Sequence, residues 1–144
     1  MNRTREIADT SDKRQKRYRL YKSVIGRYRE AIDKGFYLEA ITLMESIITD
    51  RLESVLIYYG LMNREKAFRT MEFCLQLFNE TQGIISDELY NRIVDWKNER
   101  NHALHEMAKI EEGDESSFSQ RYNAQKKVAE QGYELFKAIK AETK

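Results

Sequence analysis

Apolar residues recur three and four positions apart along most of the chain. No stretch of useful length alternates in the two-residue rhythm of a strand. Residues 1–10 read as a frayed lead-in, after which Ser11 or Asp12 caps a first helix running to about Lys34. Leu20, Val24, Ile25 and Tyr28 form its apolar edge, and Gly35 stops it. A second helix covers about Phe36–Tyr59. Its stripe of Ile41, Met44, Ile48, Leu52, Val55 and Tyr59 is widened by Ala40, Ile47 and Leu56, which marks a central helix contacted on two sides.

Gly60 ends that helix, and Asn63 begins a third that reaches Glu80 through Ala67, Met71, Leu75 and Phe78, with Phe68 and Cys74 beside them. Ser86-Asp87-Glu88 starts a fourth. Its stripe of Leu89, Ile93, Trp96, Arg100, Ala103 or Leu104, and Met107 extends to about Ile110. Glu111–Ser117 is an acidic loop. The last helix, about Ser117–Lys140, spaces Phe118, Tyr122, Gln125, Ala129, Gly132, Phe136 and Ile139 by fours and threes, the seam of a left-handed bundle. Ala129 and Gly132 leave room for a close neighbour. The predicted fold is one all-α domain over residues 1–144, an antiparallel bundle of four to five helices.

Composition agrees with this reading. The chain of 144 residues has no proline and six glycines, so long helices are unopposed. Its formal charge of +1 excludes a generally basic coat but not a local patch. Residues 1–30 hold ten Lys/Arg against four Asp/Glu, and residues 80–116 hold ten Asp/Glu against four Lys/Arg. The basic first helix interleaves Arg17, Arg19, Lys22 and Arg27 with tyrosines, a pattern suited to RNA. A solvated basic helix, or one docked on the acidic segment of a partner subunit, fits it as well. Cys74 stands alone in an apolar run and reads as a buried, inert thiol. No segment has the roughly 18 apolar residues of a membrane span, and the basic, polar start is unlike a secretory signal, so a cytoplasmic protein is expected.

One run breaks the pattern. Glu99-Arg100-Asn101-His102-Ala103-Leu104-His105 puts an arginine on the core stripe and a histidine five residues later. Asn101 and His105 are one turn apart on a shared face, and Arg100 lies next to it. A guanidinium fork suits phosphate oxygens, and a histidine moves a proton near neutral pH. These are the two needs of RNA cleavage by the adjacent 2′-hydroxyl, with no metal or cofactor. The bland alternative is an arginine snorkelling from the helix and an ordinary surface histidine. His102 and His105 are three apart rather than the zincin-like four, and no third ligand is evident, so no metal site is read from them.

Arg100-Asn101-His102-Ala103-Leu104-His105 resembles the Arg-x4-His motif of HEPN-domain ribonucleases, with Asn101 as the polar residue that often follows the arginine. The stretch Leu38–Leu56, carrying Glu45, Asp50 and Arg51, resembles the long helix that precedes that motif, and the likeness covers roughly residues 36–140. It implies a homodimer with two motifs in a shared cleft and metal-independent endoribonuclease activity leaving a 2′,3′-cyclic phosphate. By position, Arg100 would stabilise the phosphate, His105 would move the proton and Asn101 would orient one of them. Asp50 or Glu45 would approach from the second helix, and His102 would flank the site. Such domains commonly serve in toxin–antitoxin or antiviral systems, which implies an antitoxin or defence partner. Met107 stands where one toxin subgroup has a modifiable tyrosine, so nucleotidylation is not inferred. Some members of the family are non-catalytic helical adaptors or RNA binders, the alternative reading.

Overall fold

The computed structural model describes residues 3–63, 70–105, 107 and 117–143, with side chains from residue 12 onward. Five helices pack together: α1 (Arg3–Lys34), α2 (Tyr37–Tyr58), α3 (Met71–Glu80), α4 (Asp87–His105) and α5 (Phe118–Glu142). There is no strand among the described residues.

α1 starts well before the expected cap at Ser11 or Asp12. Arg3, Arg5, Glu6 and Ala8 in that stretch are good helix formers, and no glycine or proline interrupts them. The expected stop holds. Gly35 takes φ +78°, its N–H reaches the Ile32 carbonyl, and the Phe36 N–H reaches the Ala31 carbonyl at 2.7 Å. That doubled closure needs the left-handed backbone that glycine adopts without a Cβ penalty.

α3 begins later than the pattern predicts. Thr70 has an extended backbone (ψ 162°), and its hydroxyl accepts from the Phe73 N–H, so it caps the helix and rules out a continuous one from Asn63. The expected apolar positions Ala67 and Phe68 lie outside the described residues. Ser86 starts α4 as expected, accepting from the Leu89 N–H at 3.1 Å. Ser117 and Gln120 close both ends of a capping box on α5. The expected continuous extension of α4 to Ile110 is not seen, because the helix ends at His105 and Met107 is a bend; the rest of that extension and most of the acidic loop 111–117 fall outside the described residues.

α2 is the hub. It buries Ala40, Ile41, Met44, Ile47, Ile48, Leu52, Val55 and Leu56, and it packs on α1, α3 and α5. Each larger aliphatic side chain so buried contributes about 1.5–3 kcal/mol before entropy is counted. Contacts fix the directions. Arg17 meets Asp50 and Arg27 meets Glu39, so α1 runs antiparallel to α2. Tyr37 meets Tyr122 and Arg51 meets Thr143, so α5 runs parallel to α2. The Trp96 Nε1–H donates to the Val128 carbonyl at 2.9 Å and Ser86 meets Glu142, so α4 runs back along α5. A parallel α2/α5 pair is possible because α3 and α4 lie between them in the chain.

Three expected core residues are not in the core, and the first of them, Tyr59, lies just past the end of α2 and is 55% exposed. Leu20 is 62% exposed and Phe118 64% exposed, while Tyr21, with its ring edge-on to Phe136, packs on the bundle in place of Leu20. Gly132 behaves as predicted. A Cβ there would sit 2.8 Å from Trp96 Cζ2 and 3.1 Å from the Met44 Cβ. Trp96 cannot swing aside without breaking its bond to Val128. Gly132→Ala is therefore expected to destabilise the fold by about 1–2 kcal/mol in urea denaturation, despite the helix propensity alanine gains. A neutral or stabilising result would mean that α4 is free to shift.

Candidate active site

The stripe of α4 is buried as the periodicity requires: Leu89, Ile93, Trp96, Arg100 and Ala103 all face inward. Arg100 thus sits in the core layer, its side chain 11% exposed. A lone guanidinium there would be costly, and two carboxylates from other helices offset the charge. Glu45 of α2 places Oε1 3.0 Å from Arg100 Nη2, and Glu72 of α3 places Oε1 3.5 Å from the same nitrogen. Glu45 is about one-third exposed and Glu72 about one-half. The two contacts are close in distance but poorly aligned. Nε and Nη2 are buried with no hydrogen-bond acceptor in good geometry among the described residues.

α4 stays regular to its end at His105. Asn101 and His105 are therefore one turn apart, about 6 Å along the axis, on one face. Asn101 is half-buried, and His102 and His105 are exposed. His105 is the last residue of the helix. Leu104 and Phe73, both more than a third exposed, add apolar surface from α4 and α3. Among the described residues no three His, Cys, Asp or Glu side chains converge as a metal site would require.

Of the second-helix carboxylates, Glu45 reaches Arg100 and Asp50 does not. Asp50 faces α1, where it accepts from Arg17 Nε at 3.1 Å and from the Tyr21 hydroxyl at 2.5 Å. Burial first, and then this bond to Asp50, push the Tyr21 hydroxyl well above its ordinary range. Arg51, on the neighbouring position, donates to the Thr143 carbonyl at 2.7 Å and to its hydroxyl, tying α2 to the end of α5. Asp50 is thus part of the clasp between α1 and α2.

The basic first helix is also rearranged relative to the sequence reading. Arg17 is engaged with Asp50, and Arg27 with Glu39 at 3.0 Å and Glu30 at 3.6 Å, so neither is a free cation. Arg19 and Lys22 are exposed and carry no ion pair among the described residues. Glu72 is the residue that the sequence reading missed. Its only signal was the Thr70 cap, which starts α3 close enough to put Glu72 in the first turn. Cys74 is buried, and burial, with a smaller push from Glu53, raises its thiol to about 12, so it is not a nucleophile. No helix among the described residues is long and apolar enough to cross a membrane. Comparison of the chain with protein-family models, with curated proteins and with solved structures returned no match.

Proposed function

We propose that this chain is a metal-independent endoribonuclease of the HEPN type, working as a homodimer within a toxin–antitoxin or antiviral system. The observation that carries the reading is Arg100. It is held in the core layer of α4 by Glu45 and Glu72, with unused donors, while Asn101 and the exposed His105 follow within the next five residues.

In this mechanism the 2′-oxygen of a ribose attacks the neighbouring phosphorus, and the bond from phosphorus to the 5′-oxygen breaks. One proton leaves the 2′-hydroxyl and another must reach the departing oxygen. His105 from each of two subunits across a shared cleft would supply the acceptor and the donor. Arg100 would stabilise the charge on the phosphorane. The two carboxylates make unequal demands on that guanidinium. Glu45 is the nearer and more buried and keeps the fork in place. Glu72 is the further and more exposed, so it is the partner a phosphate oxygen would displace. Asn101 would orient the phosphate or the imidazole.

The test is incubation of the purified protein with total RNA and with a labelled single strand in EDTA. Cleavage leaving a 2′,3′-cyclic phosphate is the expected result. Intact RNA overturns the reading in favour of a second one, a non-catalytic helical module that binds RNA or another protein. A specific observation favours that alternative: Arg100 already ties α4 to α2 and α3, which gives a buried arginine a structural purpose without catalysis. Growth on induction separates the two, because a toxic ribonuclease slows the cell and an adaptor does not.

A further inference from the structure

We propose that the N-terminal half of α1 is a docking arm for the phosphate backbone of RNA, built from Lys13, Arg14, Lys16, Arg19 and Lys22. Cleavage at α4 is not a premise, since such an arm would equally serve a non-catalytic RNA-binding module. From Asp12 to Lys22 the helix carries six Lys/Arg and one acid. Among the described residues, Arg17 alone of these cations is engaged in an ion pair. The other five are exposed, and among the described residues none lies within ion-pair distance of a carboxylate. From Asp12 to Leu20 every residue except Arg17 is exposed, so this part of α1 is a helix with solvent around it.

The placement of charge around the axis decides what the arm fits. At about 100° per residue, Lys13 and Arg14 lie on the side that carries Tyr21, Val24 and Tyr28 further along, while Lys16, Arg19 and Lys22 spread over the opposite side. Positive charge therefore surrounds the helix. A helix that lies on a membrane needs an apolar stripe opposite its cations. Here the exposed apolar side chains, Tyr18 and Leu20, are about 160° apart, and the true apolar face is spent on the bundle from Tyr21 onward. A flat acidic protein surface would meet one side and leave the others unpaired. A polyanion that follows the helix round, or receives it in a groove, meets them all. Five charges over about 13.5 Å of axis give one per roughly 2.7 Å, of the same order as nucleic acid's own charge spacing. Tyr18, 69% exposed among these cations, presents a ring on which a base can stack.

The experiment measures binding of a 2′-O-methyl RNA oligonucleotide, which has no free 2′-hydroxyl and so reports binding without cleavage. Wild type is compared with the variant Lys13→Gln, Arg14→Gln, Lys16→Gln, Arg19→Gln, Lys22→Gln across about 50–200 mM salt. The expected result is a loss of affinity of at least about tenfold and a log–log salt slope shallower by about 2–4, with helix content unchanged by circular dichroism. The double variant Arg19→Gln, Lys22→Gln, on the outward side, is expected to give a smaller loss in the same direction and guards against misfolding of the larger one. Equal affinity and slope for wild type and both variants would overturn the proposal. So would unchanged RNA binding accompanied by lost binding to phosphatidylserine vesicles, or by lost self-association in sedimentation. Failure of the ribonuclease reading would leave these results untouched, because the probe cannot be cleaved.

Discussion

His105→Ala is expected to lower cleavage of a single-stranded RNA by about 10²–10⁴-fold and to move the thermal unfolding midpoint by no more than about 4 °C. The separation between the two effects follows from position. His105 is the final residue of α4, exposed, and outside every buried cluster. Removing it costs at most a small interaction with the helix end, of the order of 0.3–1 kcal/mol. Its loss from the chemistry would be far larger, since His105 is the imidazole the mechanism uses for proton transfer and it shares a face with Asn101. The pair of measurements is an RNA cleavage rate in EDTA and a melting curve on the same preparations. A variant that cleaves at the wild-type rate would remove His105 from the mechanism. One that unfolds would show that the imidazole is a structural residue after all.

The second large effect concerns stability. Glu45→Ala is expected to cost about 2–4 kcal/mol, whereas Arg100→Met should cost about 1 kcal/mol or less. The asymmetry comes from burial. Deleting Glu45 leaves a guanidinium that is 11% exposed with, among the described residues, only Glu72, 3.5 Å away, to balance it. Replacing Arg100 by an unbranched apolar side chain fills the same space. The stranded carboxylates are a third and a half exposed and can return to water. Urea denaturation of both single variants and the double variant gives the coupling directly. If Arg100→Met proved the more damaging change, the buried-charge account of this site would be wrong.

The bundle was largely legible because burial follows period. Spacing names Leu89, Ile93, Trp96, Arg100 and either Ala103 or Leu104, and the first four face inward together with Ala103. The wide stripe of α2 likewise announced a helix covered on more than one side. What failed depends on where a helix has a neighbour. Leu20 is turned about 100° from Tyr21, and Arg17 and Tyr21 on either side of it reach Asp50 and Phe136, so it stands just off the covered face, while Phe118 in the first turn of α5 is exposed. Periodicity predicts that a face turns inward but neither its exact edge nor where along the axis the cover ends. Partner choice was the other gap. Glu45 and Asp50 lie five residues apart on α2, which turns one towards α4 and the other towards α1. Glu72 could be paired with Arg100 only after the Thr70 cap fixed the rotation of α3. Such pairings between helices depend on packing angles that no local pattern carries. The reaction assigned to Arg100 and His105 stands on the motif and on their placement in α4, and the cleavage assay decides it.

The end of α5 is fastened at two points. Glu142 accepts from both the N–H and the hydroxyl of Ser86 at the start of α4, while Arg51 of α2 grips Thr143. Mechanically this makes the last turn a shared anchor rather than a loose tail. A load applied at residue 143 is passed at once to the hub helix and to the first turn of α4, in shear along α5. Such a load resists extension more than one that unzips a helix turn by turn. A tether or surface attachment at that end would therefore pull on the bundle as one body.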